Sequence, residues 1–213
     1  MLPVPAPTHD LVRLRKPTGL RAQAPLPRWV GPVLERTPWV VVQRGYVHRG
    51  VMPVAVRGVA REQRFAAFLP VAEITDRLSP EILTYSRYFI DPRRQDEVPA
   101  LAALSRVAPL LTRRGYRWGP GGSVAFEMAT RMPAATPSSD LDLILRQERR
   151  LEQEEAIELL ELLTEAAAPA RADAVLETPR GGVSLAELAA MAHQVIVRTP
   201  EGARLSADPW MVS

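Results

Sequence analysis

Apolar and polar positions change period several times along the chain, and each change marks an element. Between residues 9 and 70 the apolar stretches are short, rich in valine and phenylalanine, and separated by glycine, proline and arginine. Residues 9–14, 38–44, 51–57 and 64–69 read as strands, with a turn between the last two. Residues 1–28 are proline-rich and read as an extended arm that holds the first strand. Residues 71–76 read as a helix start and 81–86 as a second short helix. The polar run Asp91-Pro-Arg-Arg-Gln-Asp96 reads as a loop and a boundary. Over 99–114 the apolar residues Leu101, Leu104, Val107, Ala108 and Leu111 recur at helical spacing. Pro99 suits the first helical position and Gly115 the position past the end. Pro109 is expected to kink or break the last turns.

Beyond this helix the periods alternate. Residues 116–118 read as a strand, Gly119-Pro-Gly-Gly-Ser123 as a turn, 123–130 as a short helix and 132–139 as a loop. The run Asp140-Leu-Asp-Leu-Ile-Leu145 is a strand. Residues 147–168 predict a long helix, with Leu151, Ile157, Leu160 and Leu163 as its buried stripe and Glu152, Glu154, Glu155 and Glu158 on its wet side. A strand over 171–177 and a turn over 179–182 follow. Ser184 and Glu187 form a capping box that opens a helix to His193, and Glu201-Gly202 closes a hairpin. The expected class is α+β: a β-rich substrate- or partner-binding unit over 1–95, then a catalytic domain over 96–213 with a mixed sheet and flanking helices.

Composition narrows the setting. The 213 residues suffice for one large domain or two small ones. The chain has no cysteine, which excludes disulfides and thiolate zinc sites. No apolar run reaches spanning length, and the first residues lack a signal-peptide pattern, so the expectation is a cytoplasmic protein without a membrane partner. The net charge of +3 rests almost wholly on arginine, Lys16 being the only lysine. That suits an acidic or polyphosphate ligand but is too mild to argue for nucleic acid. Arg44, Arg49, Arg57, Arg61 and Arg64 of the β-rich unit are candidates to line a ligand cleft. His9, His48 and His193 share no spacing, and none reads as a ligand. Trp39, Trp118 and Trp210 read as core.

The chemistry concentrates at Asp140 and Asp142. Strand alternation puts them with Ile144 on one face and Leu141, Leu143 and Leu145 on the other. Two adjacent carboxylates repel by about 2.5 kcal/mol at an effective dielectric of 20, and a divalent cation relieves that. Mg²⁺ is suited, because it takes a few carboxylates and keeps positions for substrate phosphates. The upstream Gly-Gly-Ser turn admits a ligand close to the backbone and can form an anion nest at a helix N-terminus. Ser123 also suits the helix N-cap.

Gly122-Ser123 followed by Asp140-Leu-Asp142 resembles the nucleotidyltransferases of the DNA polymerase β type. The blocks His9-Asp-Leu-Val, Trp118-Gly-Pro-Gly-Gly-Ser-Val-Ala-Phe-Glu, Ser139-Asp-Leu-Asp-Leu, Leu176-Glu-Thr-Pro and Ala207-Asp-Pro-Trp210 are similar to one branch. That branch is the malonate decarboxylase holo-acyl-carrier-protein synthases, or phosphoribosyl-dephospho-CoA transferases. The resemblance implies two divalent ions on Asp140, Asp142 and a later carboxylate, Asp173 or else Glu177. It implies that Gly122 and Ser123 hold the donor's phosphates. The donor would be triphosphoribosyl-dephospho-CoA, and the acceptor a serine of the acyl carrier protein subunit of malonate decarboxylase, with pyrophosphate released. The separation from Ser123 to Asp140 is longer than the superfamily's usual one. A nucleotidyltransferase with another acceptor, such as the citrate lyase carrier protein, and a non-catalytic carrier-binding scaffold are the rival readings. For Glu177 a salt bridge near Pro179 is the rival to metal binding.

Overall fold

The computed structural model describes residues 6–60, 62–85, 90–190 and 193–211. Two sheets carry it. The first joins β1 (Leu11–Leu14), β2 (Trp39–Val42), β3 (Val51–Arg57), β4 (Arg64–Pro70) and β5 (Ile74–Leu78) in the order β4-β3-β2-β1-β5, every pair antiparallel. The second joins β6 (Trp118–Pro120), β7 (Leu141–Arg146), β8 (Ala172–Thr178), β9 (Gly181–Ser184), β10 (Val195–Thr199) and β11 (Gly202–Ser206) in the order β11-β10-β9-β8-β7-β6. Its β7–β8 pair is parallel, joined through helix α5 (Gln153–Ala167), and its other pairs are antiparallel. An antiparallel sheet followed by a mixed sheet with helices is the α+β arrangement the residue pattern predicts.

Alternation decides what each sheet face meets. Val12 and Leu14 of β1 and Val40 and Val42 of β2 pack with Val54, Val56 and helix α1 (Val30–Arg36) in one core. Leu11 turns the other way and joins a second core, against which Trp39 and Val41 also rest. That core holds Leu141, Leu143 and Leu145 of β7, Leu176 of β8, helix α3 (Pro99–Arg113) and much of α5. The three leucines of β7 have no exposed surface, and burying each contributes about 1.5–3 kcal/mol. They fix β7 at the centre and commit its Asp face to the side where the first sheet lies.

Ion pairs lock the two sheets together. Asp10, at the start of β1, is fully buried and accepts from Arg77 of β5 and from Arg146 of β7, the latter at 3.1 Å. Arg146 Nε also donates to Glu81 at 2.9 Å. Glu81 lies in the 3-10 turn Pro80–Thr84, against which β6 packs without clearance. A Cβ on Gly119 would stand 2.0 Å from the Pro80 carbonyl, so only glycine fits there.

Several elements differ from expectation, each for a local reason. Helix α3 runs through Pro109 unbroken. Pro109 and Ser105, whose carbonyl loses its helical partner, both lie on the exposed face, where water can replace the bond. Gly115 takes φ 74 just past the helix end, as expected. Residues 71–76 form a 3-10 turn and then β5, because Ile74 to Leu78 find a partner in β1. The polar run after Asp91 is a helix, α2 (Pro92–Glu97), capped by the Asp91 carboxylate on Arg93 N at 2.9 Å. Residues 81–86 were expected as a helix; the described part is the 3-10 turn, and Ser86 lies outside the described residues.

The strand expected over 116–118 is formed by Trp118–Pro120. Helix α5 starts at Gln153, not at 147. Gln147 N bonds Glu177 O at 2.9 Å and stays with the sheet, and Glu152 and Glu155 cap each other's turn. Its buried stripe is Ala156, Leu159, Leu163 and Ala167; Leu151 is buried ahead of the helix. The Ser184–Glu187 capping box does not form. Glu187 accepts from Ile196 N at 2.9 Å instead, and α6 (Leu185–Ala189) ends well short of His193. Gly181 and Gly182, expected as a turn, open β9. Trp118 is buried; Trp39 and Trp210 pack on the core from its edge.

Candidate active site

The Asp face of β7 opens on a cavity of about 440 Å³ between the two sheets. The second sheet contributes Asp142, Ile144, Asp173 and Val175, the first contributes Val41, Ala55, Arg57, Arg64 and Phe65, and His9 and Gly122 complete the wall. Parallel pairing sets Asp173 of β8 directly beside Asp142, roughly 4.8 Å away between strands. Asp140 precedes β7 on the same face. Asp142 and Asp173 therefore meet at the cavity, while Asp140 lies outside its lining and shares the Arg171 guanidinium with Asp173. Burial first, then the charges of Asp173 and Asp140, push the Asp142 carboxyl above its ordinary range, against the opposing pull of Arg64 and Arg57.

Gly122 stands where the turn was expected to cradle a ligand. It opens helix α4 (Gly122–Thr130) with φ 53, and a Cβ there would lie 1.6 Å from Asp142 Oδ2. Gly121 N donates to the Asp142 carbonyl at 2.8 Å, so the turn and β7 are joined by backbone. Ser123 is buried at 6% exposure in the first turn of α4. It is not the N-cap; Gly121 is. The long separation from Ser123 to Asp140 is taken up by α4 and a loop that Glu127 organises. Glu127 is 7% exposed and accepts from Ala134 N and Ala135 N, both at 2.9 Å, and from Arg94 Nε at 2.9 Å. A lone acid inside the apolar run Val124 to Met128 was the available signal for this role.

As donors, three carboxylate oxygen sets beside a backbone turn suit a hard divalent cation. Among the described residues no three acid or histidine side chains converge tightly enough to ligate one ion as they stand. The Arg171 guanidinium instead lies 3.7 Å from both Asp140 and Asp173. Both aspartates are partly exposed.

Glu177 is engaged differently. Its carboxylate meets His9 Nε2 at 2.8 Å and takes a bidentate bond from Arg44. The salt bridge considered for it is thus formed, with partners from the first sheet's side. His9 has φ 76 and was given no role from the sequence, since its partner lies 168 positions away. Burial alone would raise the Glu177 carboxyl, but the bonds from His9 and Arg44 outweigh it and hold the group down from 4.5 to about 2. A depressed carboxylate contributes stability that is complete above pH 4.5 and is lost as pH falls toward 2. The contribution is at most about 3 kcal/mol. In urea unfolding, wild type should exceed Glu177→Gln in stability at pH 7 and lose most of that margin at pH 3. An equal margin at both values would show that the ionised pair stabilises nothing.

Of the arginines expected at a cleft, Arg57 and Arg64 line the cavity, Arg44 is held by Glu177, and Arg61 lies outside the described residues. A larger cleft of about 620 Å³ lies at the far end of β7, between Arg114, Arg117, Arg149 and Glu155. Its charges largely pair with one another, Arg149 with Glu155 at 2.9 Å and Arg117 with Glu148 at 3.9 Å, and it lacks the aspartates. Among the described residues no helix is long and apolar enough to cross a membrane.

Comparison with known proteins shows the family. The family profile described as the phosphoribosyl-dephospho-CoA transferase MdcG C-terminal domain matches residues 87–209, and that of the N-terminal domain matches residues 7–80. The chain is 40% identical over 204 residues to a phosphoribosyl-dephospho-CoA transferase of Pseudomonas putida, covering 96% of this chain and 95% of that one. It is 39% identical over 214 residues to the transferase of that name from Azotobacter vinelandii, covering 99% and 95%. The corresponding protein of Pseudomonas aeruginosa is 37% identical over 205 residues, covering 96% and 94%. No solved structure matches the chain. Matched along nearly its whole length on both halves, the chain belongs to the phosphoribosyl-dephospho-CoA transferase family and is an enzyme of the transferase class.

Proposed function

We propose that the protein transfers the phosphoribosyl-dephospho-CoA group from triphosphoribosyl-dephospho-CoA to a serine hydroxyl of the acyl carrier protein subunit of malonate decarboxylase. Pyrophosphate leaves. The observation that carries this reading is the pairing of Asp142 and Asp173 at one cavity beside Gly122, with Asp140 next to them, in a chain of this family. The names of the relatives and the polymerase β-like pairing of a glycine turn with an Asp-x-Asp strand support it.

In the proposed mechanism Asp140, Asp142 and Asp173 would hold two Mg²⁺ ions, for which Asp140 and Asp173 would have to leave Arg171. The ions, when bound, would supply charge neutralisation for an in-line displacement. Most of the remaining work is positioning. The backbone at Gly122 and the start of α4 face the donor's phosphates. The serine oxygen forms a bond to the α-phosphorus, the bond from that phosphorus to the bridging oxygen of the leaving pyrophosphate breaks, and one of the three carboxylates takes the serine proton.

The test is a labelling assay on the purified carrier subunit, read as an intact-mass increase. Triphosphoribosyl-dephospho-CoA with Mg²⁺ should give the phosphoribosyl-dephospho-CoA adduct, and EDTA should prevent it. Labelling from ATP instead would assign the site to a nucleotidyltransferase with a different donor. Preferential labelling of the citrate lyase carrier would change the acceptor. No labelling, together with no Mg²⁺- or Mn²⁺-dependent rise in melting temperature, would leave a carrier-binding scaffold.

A further inference from the structure

We propose that Arg57 and Arg64, the last cross-strand pair of the β3–β4 hairpin, form the seat for the departing diphosphate of the donor, on the wall of the cavity opposite Asp142 and Asp173. The inference rests on the proposed function for the identity of the donor and adds to it the residues that hold the leaving group.

Arg57 and Arg64 are register partners in an antiparallel pair. Side chains so placed have Cβ atoms about 4.5–5.5 Å apart, and like charges there destabilise the hairpin. The hairpin has no need of them. Its turn is closed by Gly58 N on the Gln63 carbonyl at 2.8 Å and by Ala60 N on Gln63 Oε1 at 3.1 Å. An anion between Arg57 and Arg64 would offset the like charges.

Their surroundings point to the same conclusion. Both line the cavity that holds Gly122, Asp142 and Asp173. Arg64 is exposed and forms no ion pair among the described residues. Arg57 donates to the Ala134 carbonyl at 3.4 Å, which sets it beside the loop that leads to Asp140. Arg44, on the neighbouring strand end, is by contrast held by Glu177. One wall therefore offers acids suited to cations, and the other offers two planar forks suited to phosphate oxygens. A polyphosphate with divalent ions matches both at once. As the bond between the α-phosphorus and the bridging oxygen breaks, its electron pair goes to the diphosphate, and the guanidiniums meet the charge that develops there.

The test is calorimetric titration of the full chain with inorganic pyrophosphate in the presence of Mg²⁺, which needs neither donor nor carrier. Arg57→Gln and Arg64→Gln should each weaken binding about tenfold or more. Arg64→Lys should restore only part, since an ammonium keeps the charge and loses the fork. Arg64 is exposed, so Arg64→Gln keeps the fold, to be checked by its melting temperature, and remains decisive should Arg57→Gln unfold. Wild-type affinity in the double variant, or no pyrophosphate binding by the wild type, would overturn the proposal. Failure of carrier labelling with pyrophosphate binding still dependent on both arginines would instead reject the proposed acceptor and leave this subsite standing.

Discussion

Asp142→Asn is expected to abolish transfer and, at the same time, to raise the melting temperature of the metal-free protein. The two effects share a cause. Asp142 sits in the cavity wall with its carboxyl pushed up by burial and by Asp173 and Asp140. A raised folded-state value means that the native protein prefers the protonated group. At neutral pH the ionised carboxylate therefore counts against folding, and an uncharged isostere removes that cost. The same substitution deletes a central member of the acid cluster. If divalent ions supply several kcal/mol of transition-state stabilisation there, turnover should fall by about a thousandfold or more. Melting curves in EDTA and in Mg²⁺ separate the contributions. Wild type should gain up to about 2.7 kcal/mol when the ion is at a hundred times its dissociation constant, whereas the variant should gain far less. Near-normal labelling by Asp142→Asn, or a lower melting temperature in EDTA, would contradict the role assigned to the cluster.

Asp10→Ala is expected to have the largest effect on stability. Asp10 has no exposed surface and takes charged bonds from Arg77 and Arg146, which belong to different sheets. Removing one member of a buried ion-pair network leaves its partners desolvated and typically costs about 3–5 kcal/mol, a large share of the roughly 5–15 kcal/mol that holds a domain together. Arg146 would keep Glu81, which sets the estimate toward the lower end. Urea unfolding measures it directly. A loss below about 1 kcal/mol would mean that the Asp10 network adds little to the joining of the sheets. The loss should also appear as reduced transfer, because the cavity needs a wall from each sheet.

Most strands were legible because their signals are local. Val-rich runs bounded by glycine or proline gave β2, β3 and β4, and the alternation in Asp140 to Leu145 gave β7 with its buried leucines and its acid face. The strand β8 followed from its apolar run, and Asp173 as a site residue from the family resemblance; that β8 pairs parallel with β7 came from the structure. What was not legible depends on distant partners. Ile74 to Leu78 become a strand only because β1 offers an edge. Gly181 to Ser184 become β9 because β8 does. Gln147 leaves the expected helix because Glu177 holds its backbone. One misreading had a signal on hand: Asp91-Pro92 is a capped helix start. Helix α1 was not read at all, although Pro32 lies in its first turn, where a missing N–H is tolerated. For the site, Asp140, Asp142 and Gly122 could be read from the residues themselves, and Asp173 only through the family resemblance. His9, Arg44, Arg57 and Arg64 could not be assigned, because their places depend on how one sheet faces the other.

The bond between His9 and Glu177 spans 168 positions, nearly the whole chain. Closing so long a loop is entropically unfavourable until other contacts have brought its ends close, and pairings of this kind slow folding. During synthesis the first sheet can assemble early, but its companion wall does not exist until β8 has left the ribosome. If the proposed site is the active one, a nascent chain has no complete cavity to offer the donor, and competence for the reaction arrives with the final docking event rather than growing with length.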